Sequence, residues 1–174
     1  MDREGLRLGR TSRIAVTIGT VVPLVEGAES LHWVIDAARH VNAEFVVTHG
    51  TADTKGFGEL PANVRTISWL GHRRLFATSH AVIHHGGPYT IFTSLDAGLP
   101  QIIVPRGADQ FYNAEALNRC GAALTSAHRR LDASIIDDVL TNHHLRQAAE
   151  GVREEMRLMP TAAQLAAQII EVTG

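Results

Sequence analysis

Between His84 and Gln110 the chain gathers the side chains best suited to recognition chemistry: His84-His85-Gly86-Gly87-Pro88-Tyr89-Thr90, then Gly98-Leu99-Pro100-Gln101, then Asp109-Gln110. Gly86 and Gly87 carry no side chain to fend off a ligand, so main-chain N–H groups there can approach an anion closely. A helix opening at Pro88 adds roughly half a positive charge and several N–H groups without internal acceptors. His85, one residue before the turn, and Thr90, about one helical turn beyond it, can each donate a hydrogen bond to the same anion. A diphosphate suits such a cradle. Pro88 fits the first helical position through its fixed φ, but it also removes one N–H donor. Tyr89 brings a phenol to the mouth of the cradle, able to cover the anion, hydrogen-bond it or narrow the pocket.

Asp109-Gln110 offers a different chemistry. A carboxylate accepts from two neighbouring hydroxyls while an amide both donates and accepts, so the pair can read the edge of a hexose. Asp109 can also serve as N-cap of a helix starting at Gln110, and the two roles are compatible. His84 and His85 are neighbours on an extended segment and point to opposite sides, so His84 is expected in the core or at its rim, hydrogen-bonded.

Apolar runs and amphipathic stretches alternate in a way that positions these residues. Strands are expected at 13–18, 44–48, 64–68, 81–84 and 101–104, with an edge strand at 122–124. Helices are expected at 29–42, 73–79, 88–97, 110–119, 132–141, 144–157 and 161–172. This pattern implies an α/β domain with a Rossmann-like parallel sheet covered by helices on both faces. Residues 1–12 read as a linker or truncation edge and 13–174 as one domain. Gly19-Thr20, Trp69-Leu70, His85 to Thr90 and the loop ending at Gln110 each follow a strand, so they converge on one rim of the sheet. Gly19 can equally be a simple turn, and Trp69 can equally be packed between strand and helix. Arg73-Arg74 reads as a solvated helix face.

The chain's 174 residues are 45% hydrophobic and 20% charged, with a formal net charge of −2. A globular domain follows, with no electrostatic case for nucleic acid or an anionic membrane. The amino terminus has no apolar core and no run approaches the ~20 apolar residues of a membrane span, so a cytoplasmic protein is expected. There is no Gly-x-x-x-x-Gly-Lys-(Ser/Thr) and no Gly-x-Gly-x-x-Gly after a strand. No His-Glu-x-x-His occurs, and His143-His144 has no carboxylate or cysteine at ligand spacing, so neither a metal nor another cofactor is expected. Cys120, the single cysteine, reads as a buried structural thiol.

The signature resembles that of the two-domain (GT-B) glycosyltransferases that attach sugars to natural products in bacteria. Their pattern, His-His-Gly-Gly-(Ala/Ser)-Gly-Thr, Gly-x-Pro-Gln and Pro-x-x-x-Asp-Gln-x-x-Asn-Ala, is met here by His84 to Thr90, Gly98 to Gln101, and Pro105, Asp109, Gln110, Asn113 and Ala114. The resemblance runs from about Arg13 to the chain end and covers the carboxy-terminal, donor-binding half of such an enzyme. It implies that Gly19, Thr20, His85, Gly86, Gly87, Tyr89 and Thr90 meet the donor diphosphate, Trp69 and Leu70 the base, and Asp109 and Gln110 the sugar. Pro88, Tyr89 and Gly71 depart from the usual residues. Thr93 stands where plant enzymes using UDP-sugars carry a ribose-binding glutamate, which favours a dTDP-deoxysugar over a UDP-sugar. The implied reaction is inverting transfer of a hexose to a small natural-product acceptor, without a metal. Its general base, a histidine, belongs to an amino-terminal domain with no counterpart here, so this chain is assigned no catalytic base. The second reading is a non-catalytic or partner-dependent nucleotide-sugar-binding subunit, completed by another chain.

Overall fold

The computed structural model describes residues 11–19, 30–51, 53–127 and 131–173, with side chains as far as residue 170. Its strands are β1 (Arg13–Thr17), β2 (Glu44–Thr48), β3 (Val64–Ile67), β4 (Ala81–His84), β5 (Gln101–Ile103) and β6 (Ala123–Thr125). Its helices are α1 (His32–Ala38), α2 (His72–Phe76), α3 (Pro88–Asp96), α4 (Gln110–Arg119), α5 (Ala133–Thr141), α6 (His143–Leu158) and α7 (Ala162–Thr173). The strands form one six-stranded sheet in the order β3-β2-β1-β4-β5-β6, parallel throughout. β1 and β4 are buried along their whole length, which is why they read as unbroken apolar runs rather than alternating ones.

One face of the sheet, through Ile14, Val16 and Ile83, packs on Val34 of α1 and Ile136 of α5. The other, through Ala15, Val46 and Val82, packs on Leu75 and Phe76 of α2. Ile91 and Leu95 of α3 meet Ala149 of α6, and Ala114 of α4 closes on Ile103 and Ala123. Each fully buried aliphatic side chain contributes about 1.5–3 kcal/mol to holding these layers. Strand order reverses between β1 and β4, whose last residues Thr17 and His84 are paired. The loops leaving these strands therefore diverge from a common point, where parallel α/β sheets hold ligands.

Several elements differ from the sequence expectation. The helix expected over 29–42 is confined to His32–Ala38. Beyond Ala38 the amides of Arg39, His40 and Val41 bond three residues back, and Asn63 Nδ2 donates to the carbonyls of Ala38, Val41 and Ala43, ending the helix early. The loop after β2 contains a 3-10 turn, Thr54–Phe57, capped by Asp53 and anchored by buried Phe57. Cys120 is exposed, not buried. It lies six residues beyond Ala114, the buried residue of α4, which places it about 240° around the helix from the inward face.

Candidate functional site

His84 ends β4 completely buried. The Gly86 N–H donates to its Nδ1 at 3.0 Å, so the ring proton sits on Nε2, which donates to Oε1 of Gln101 at 2.7 Å. Burial drives the His84 pKa down to about 3, only partly offset by the Gln101 hydrogen bond, and the ring is neutral near pH 7. Gln101 opens β5, so this buried chain moors the glycine turn to two adjacent strands. Gly86 has φ +95°, and a Cβ there would lie 3.0 Å from Ile103 Cγ2 and 3.2 Å from the Gln110 carbonyl oxygen. With its N–H spent on His84, Gly86 shapes the turn rather than presenting a donor.

His85 turns the opposite way, its ring edge-on to that of His84 at 6.4 Å. The half-buried imidazole lies between two main-chain surfaces. A Cβ built on Gly19 would come 2.9 Å from His85 Cε1, and one built on Gly87 2.5 Å from His85 Nε2. The Gly19 backbone is also left-handed, at φ +76°. Burial lowers the His85 pKa, and the Thr17 main chain and Asp109 carboxylate pull the other way. Thr17 lies close enough for that effect without making a well-formed hydrogen bond to Nδ1, which is buried and unpaired.

Helix α3 opens directly beyond. Gly87 at its N-cap has no side chain to cap it and Pro88 has no N–H, so the Tyr89 and Thr90 amides of the first turn lack intrahelical acceptors. A cleft of about 530 Å³ covers this point, lined by Gly19, His85, Gly87, Tyr89, Thr90 and Gln110. Ser68, Trp69, Leu70, Gly71 and His72, which follow β3, form another part of its wall, and Thr48 and Gly50 at the end of β2 lie between. Trp69 is 76% exposed, so it is a rim residue and not a core tryptophan. The Tyr89 ring rests on His72 at 5.5 Å, and His72 stacks on buried Phe76 at 5.1 Å. Burial lowers the pKa of His72. Arg73 faces Asp96 at 3.6 Å on the exposed surface, as a solvated helix face does.

The loop after β5 is held from within. The Arg106 N–H donates to Gln110 Oε1 at 2.7 Å, which commits that oxygen and leaves the Gln110 Nε2 donors for the cleft. Ala108 adopts φ 52°, a left-handed conformation uncommon without glycine. Asp109 stands at the N-cap of α4, but its backbone is helical and its side chain caps nothing. Instead Asp109 Oδ2 accepts from Asn113 Nδ2 at 3.0 Å, and the same amide group donates to the Gly86 carbonyl at 3.0 Å. Asn113 thus links the glycine turn to the Asp-Gln loop. Sequence reasoning gave Asn113 no role, and the available signal was its spacing of one helical turn from Asp109.

Gly19, Trp69, Leu70, His85, Gly87, Tyr89, Thr90 and Gln110 therefore share one cleft. Gly86 and Asp109 do not line it: Gly86 is buried in the turn, and Asp109 is exposed beside Gln110; Thr20 lies outside the described residues. A second depression, of about 590 Å³ beside His32, Asp36, His40 and Asp132, shares none of these residues. Among the described residues no group of three or more His, Cys, Asp and Glu is placed to hold a metal ion, and no helix is long and apolar enough to cross a membrane.

Residues 32–172 match the family described as erythromycin biosynthesis protein CIII-like, C-terminal domain. The chain is 36% identical over 162 residues to the elloramycin glycosyltransferase ElmGT of Streptomyces olivaceus, covering 93% of this chain and 42% of that protein. The crystal structure of the glycosyltransferase SnogD from Streptomyces nogalater superposes with a TM-score of 0.89 at 36% identity, over 100% of this chain and 48% of that one. The glycosyltransferase VinC, solved in complex with dTDP, gives a TM-score of 0.84 at 25% identity, over 99% and 44% respectively. The chain spans less than half the length of these relatives.

Proposed function

Because the chain belongs to the erythromycin biosynthesis protein CIII-like C-terminal domain family, we propose that it binds a nucleoside diphosphate sugar, preferring a dTDP-deoxyhexose, as the donor half of an inverting glycosyltransferase acting on a small natural product. The observation that carries this reading is the His85 imidazole wedged between Gly19 and Gly87 beside the uncapped start of α3. In the proposed complex the diphosphate oxygens take the Tyr89 and Thr90 amides, the Thr90 hydroxyl and a ring N–H of His85. The exposed Trp69 ring and the Leu70 main chain hold the base. Gln110 donates to the hexose, and Asp109 accepts from it through the oxygen not bonded to Asn113. During transfer the bond from the anomeric carbon to the β-phosphate oxygen breaks as the acceptor oxygen attacks the opposite face. The helix end and His85 stabilise the negative charge that gathers on the departing diphosphate. The acceptor's proton goes to a base outside this chain, supplied by a further domain or a partner chain.

Coverage of under half of each relative also accommodates a binding subunit that acts only with a partner. Either way, the helix terminus supplies partial positive charge and the imidazole a hydrogen-bond donor, so donor binding needs no divalent cation. Titration of the chain with dTDP, followed by calorimetry and tryptophan fluorescence, is expected to saturate identically with and without EDTA. Trp69→Phe should abolish the fluorescence change, because the other tryptophan, Trp33, is buried. Failure of dTDP, UDP and their sugar conjugates alike to bind would overturn the proposal.

A further inference from the structure

Tyr89 joins two parts of the cleft. Its backbone is in the first turn of α3, at the phosphate end, whereas its ring leans on His72, which belongs with Trp69 to the segment following β3. His72 is fixed by its stack on Phe76, itself 1% exposed, so three rings form a ladder from the core to the rim. In any nucleoside diphosphate the pentose lies between base and phosphate, and the ladder occupies that interval. His72 stacks on Phe76 at 17° and the Tyr89 ring tilts on His72 at 33°, so apart from the phenol hydroxyl at its outer end the ladder offers a ligand mostly ring carbon. Of the threonine hydroxyls on α3, that of Thr90 lies at the phosphate end of the cleft, and that of Thr93 is turned back to donate to the Tyr89 carbonyl at 2.7 Å.

Resting on the nucleotide reading above, we infer that Tyr89 is a specificity-determining residue whose ring packs on the pentose and selects 2′-deoxyribose over ribose. A 2′-hydroxyl set against this wall loses water without gaining a partner, whereas the C2′ methylene of a deoxynucleotide buries apolar surface. An apolar wall discriminates against an added hydroxyl by up to about 100-fold, and for a wall as open as this one about tenfold is expected.

Four nucleotides separate the pentose from the base methyl: dTDP, dUDP, UDP and ribothymidine 5′-diphosphate. The wild-type chain is expected to bind dTDP about tenfold more tightly than ribothymidine diphosphate, and dUDP similarly over UDP. Tyr89→Ala should bring both ratios to within about twofold, and Tyr89→Phe should keep both ratios. His72→Ala, which frees the ring without altering α3, should lower both ratios and covers the case of a poorly folded Tyr89 variant. Ratios that persist in Tyr89→Ala and His72→Ala would overturn the inference and leave nucleotide binding intact. Weakened pyrophosphate binding in Tyr89→Phe would also overturn it, by placing the phenol oxygen on the phosphates. A wild-type chain that bound none of the four would remove the nucleotide reading itself.

Discussion

Gly87 has an ordinary backbone, φ −69° and ψ 138°, which any residue can adopt. What excludes a side chain there is the His85 ring, 2.5 Å from where a Cβ would stand. Gly87→Ala should therefore fold as well as the wild type, with the small benefit of a stiffer unfolded chain, yet displace the imidazole. We expect dTDP affinity to fall at least about tenfold, the worth of one charge-assisted hydrogen bond, with the melting temperature unchanged; calorimetry and a thermal melt check the two halves. Gly19 makes a poorer test, since its positive φ would add backbone strain to the same clash. The opposed directions of His84 and His85 were legible in the sequence because alternation along a strand forces them. The bridge made by Asn113 was not, since it joins main-chain and side-chain groups that meet only once α4 is docked beside the turn. Asp109 shows a similar limit: its N-cap position was correctly placed, but Asn113 competes for the carboxylate and the cap goes unmade.

At the scale of elements, β4 and β5 are joined by more than their ladder. The His84–Gln101 hydrogen bond makes the glycine turn an extension of the sheet, and it requires a neutral imidazole. His84 titrates near 6.5 when unfolded and near 3 when folded. Between those values the unfolded chain binds more protons, so the native state loses stability as pH falls, by up to about 1.4 kcal/mol per pH unit from this group. Above about pH 6.5 the contribution is fully present and constant. His72, His80 and His85, also shifted downward by burial, act in the same direction. Urea midpoints should therefore drop between pH 7 and pH 5, and less so in His84→Asn; a flat wild-type profile would contradict a buried neutral His84. All six strands were legible to within a residue or two, the four inner ones because burial on both faces leaves short apolar runs bounded by turn residues, whereas edge strands β3 and β6 are only partly buried. The early end of α1 was not legible, because Asn63, 25 residues beyond Ala38, captures its carbonyls from outside the helix. The 3-10 turn at Thr54–Phe57 escaped notice because its buried Phe57 stands alone among polar and glycine neighbours.

For the whole molecule, the carboxyl ends of β1 to β5 gather their loops into a half-enclosed cleft, and the arrangement stands on the two cores that flank β1. Among the described residues, none lining the cleft comes from helix α7. Every described side chain in it, from 162 to 170, is exposed, including Leu165 at 44%, Ile169 at 63% and Ile170 at 70%, and Leu158 and Met159 just before it are exposed as well. Removal of residues 160–174 should shift the urea midpoint by no more than about 0.5 kcal/mol in stability and leave dTDP titrations superimposable. A greasy ridge facing water also has a practical side: concentrated samples of the intact chain should clump or stick to column matrices through it. The shortened version should stay monodisperse in light scattering, making it the better starting point for growing crystals with nucleotide bound.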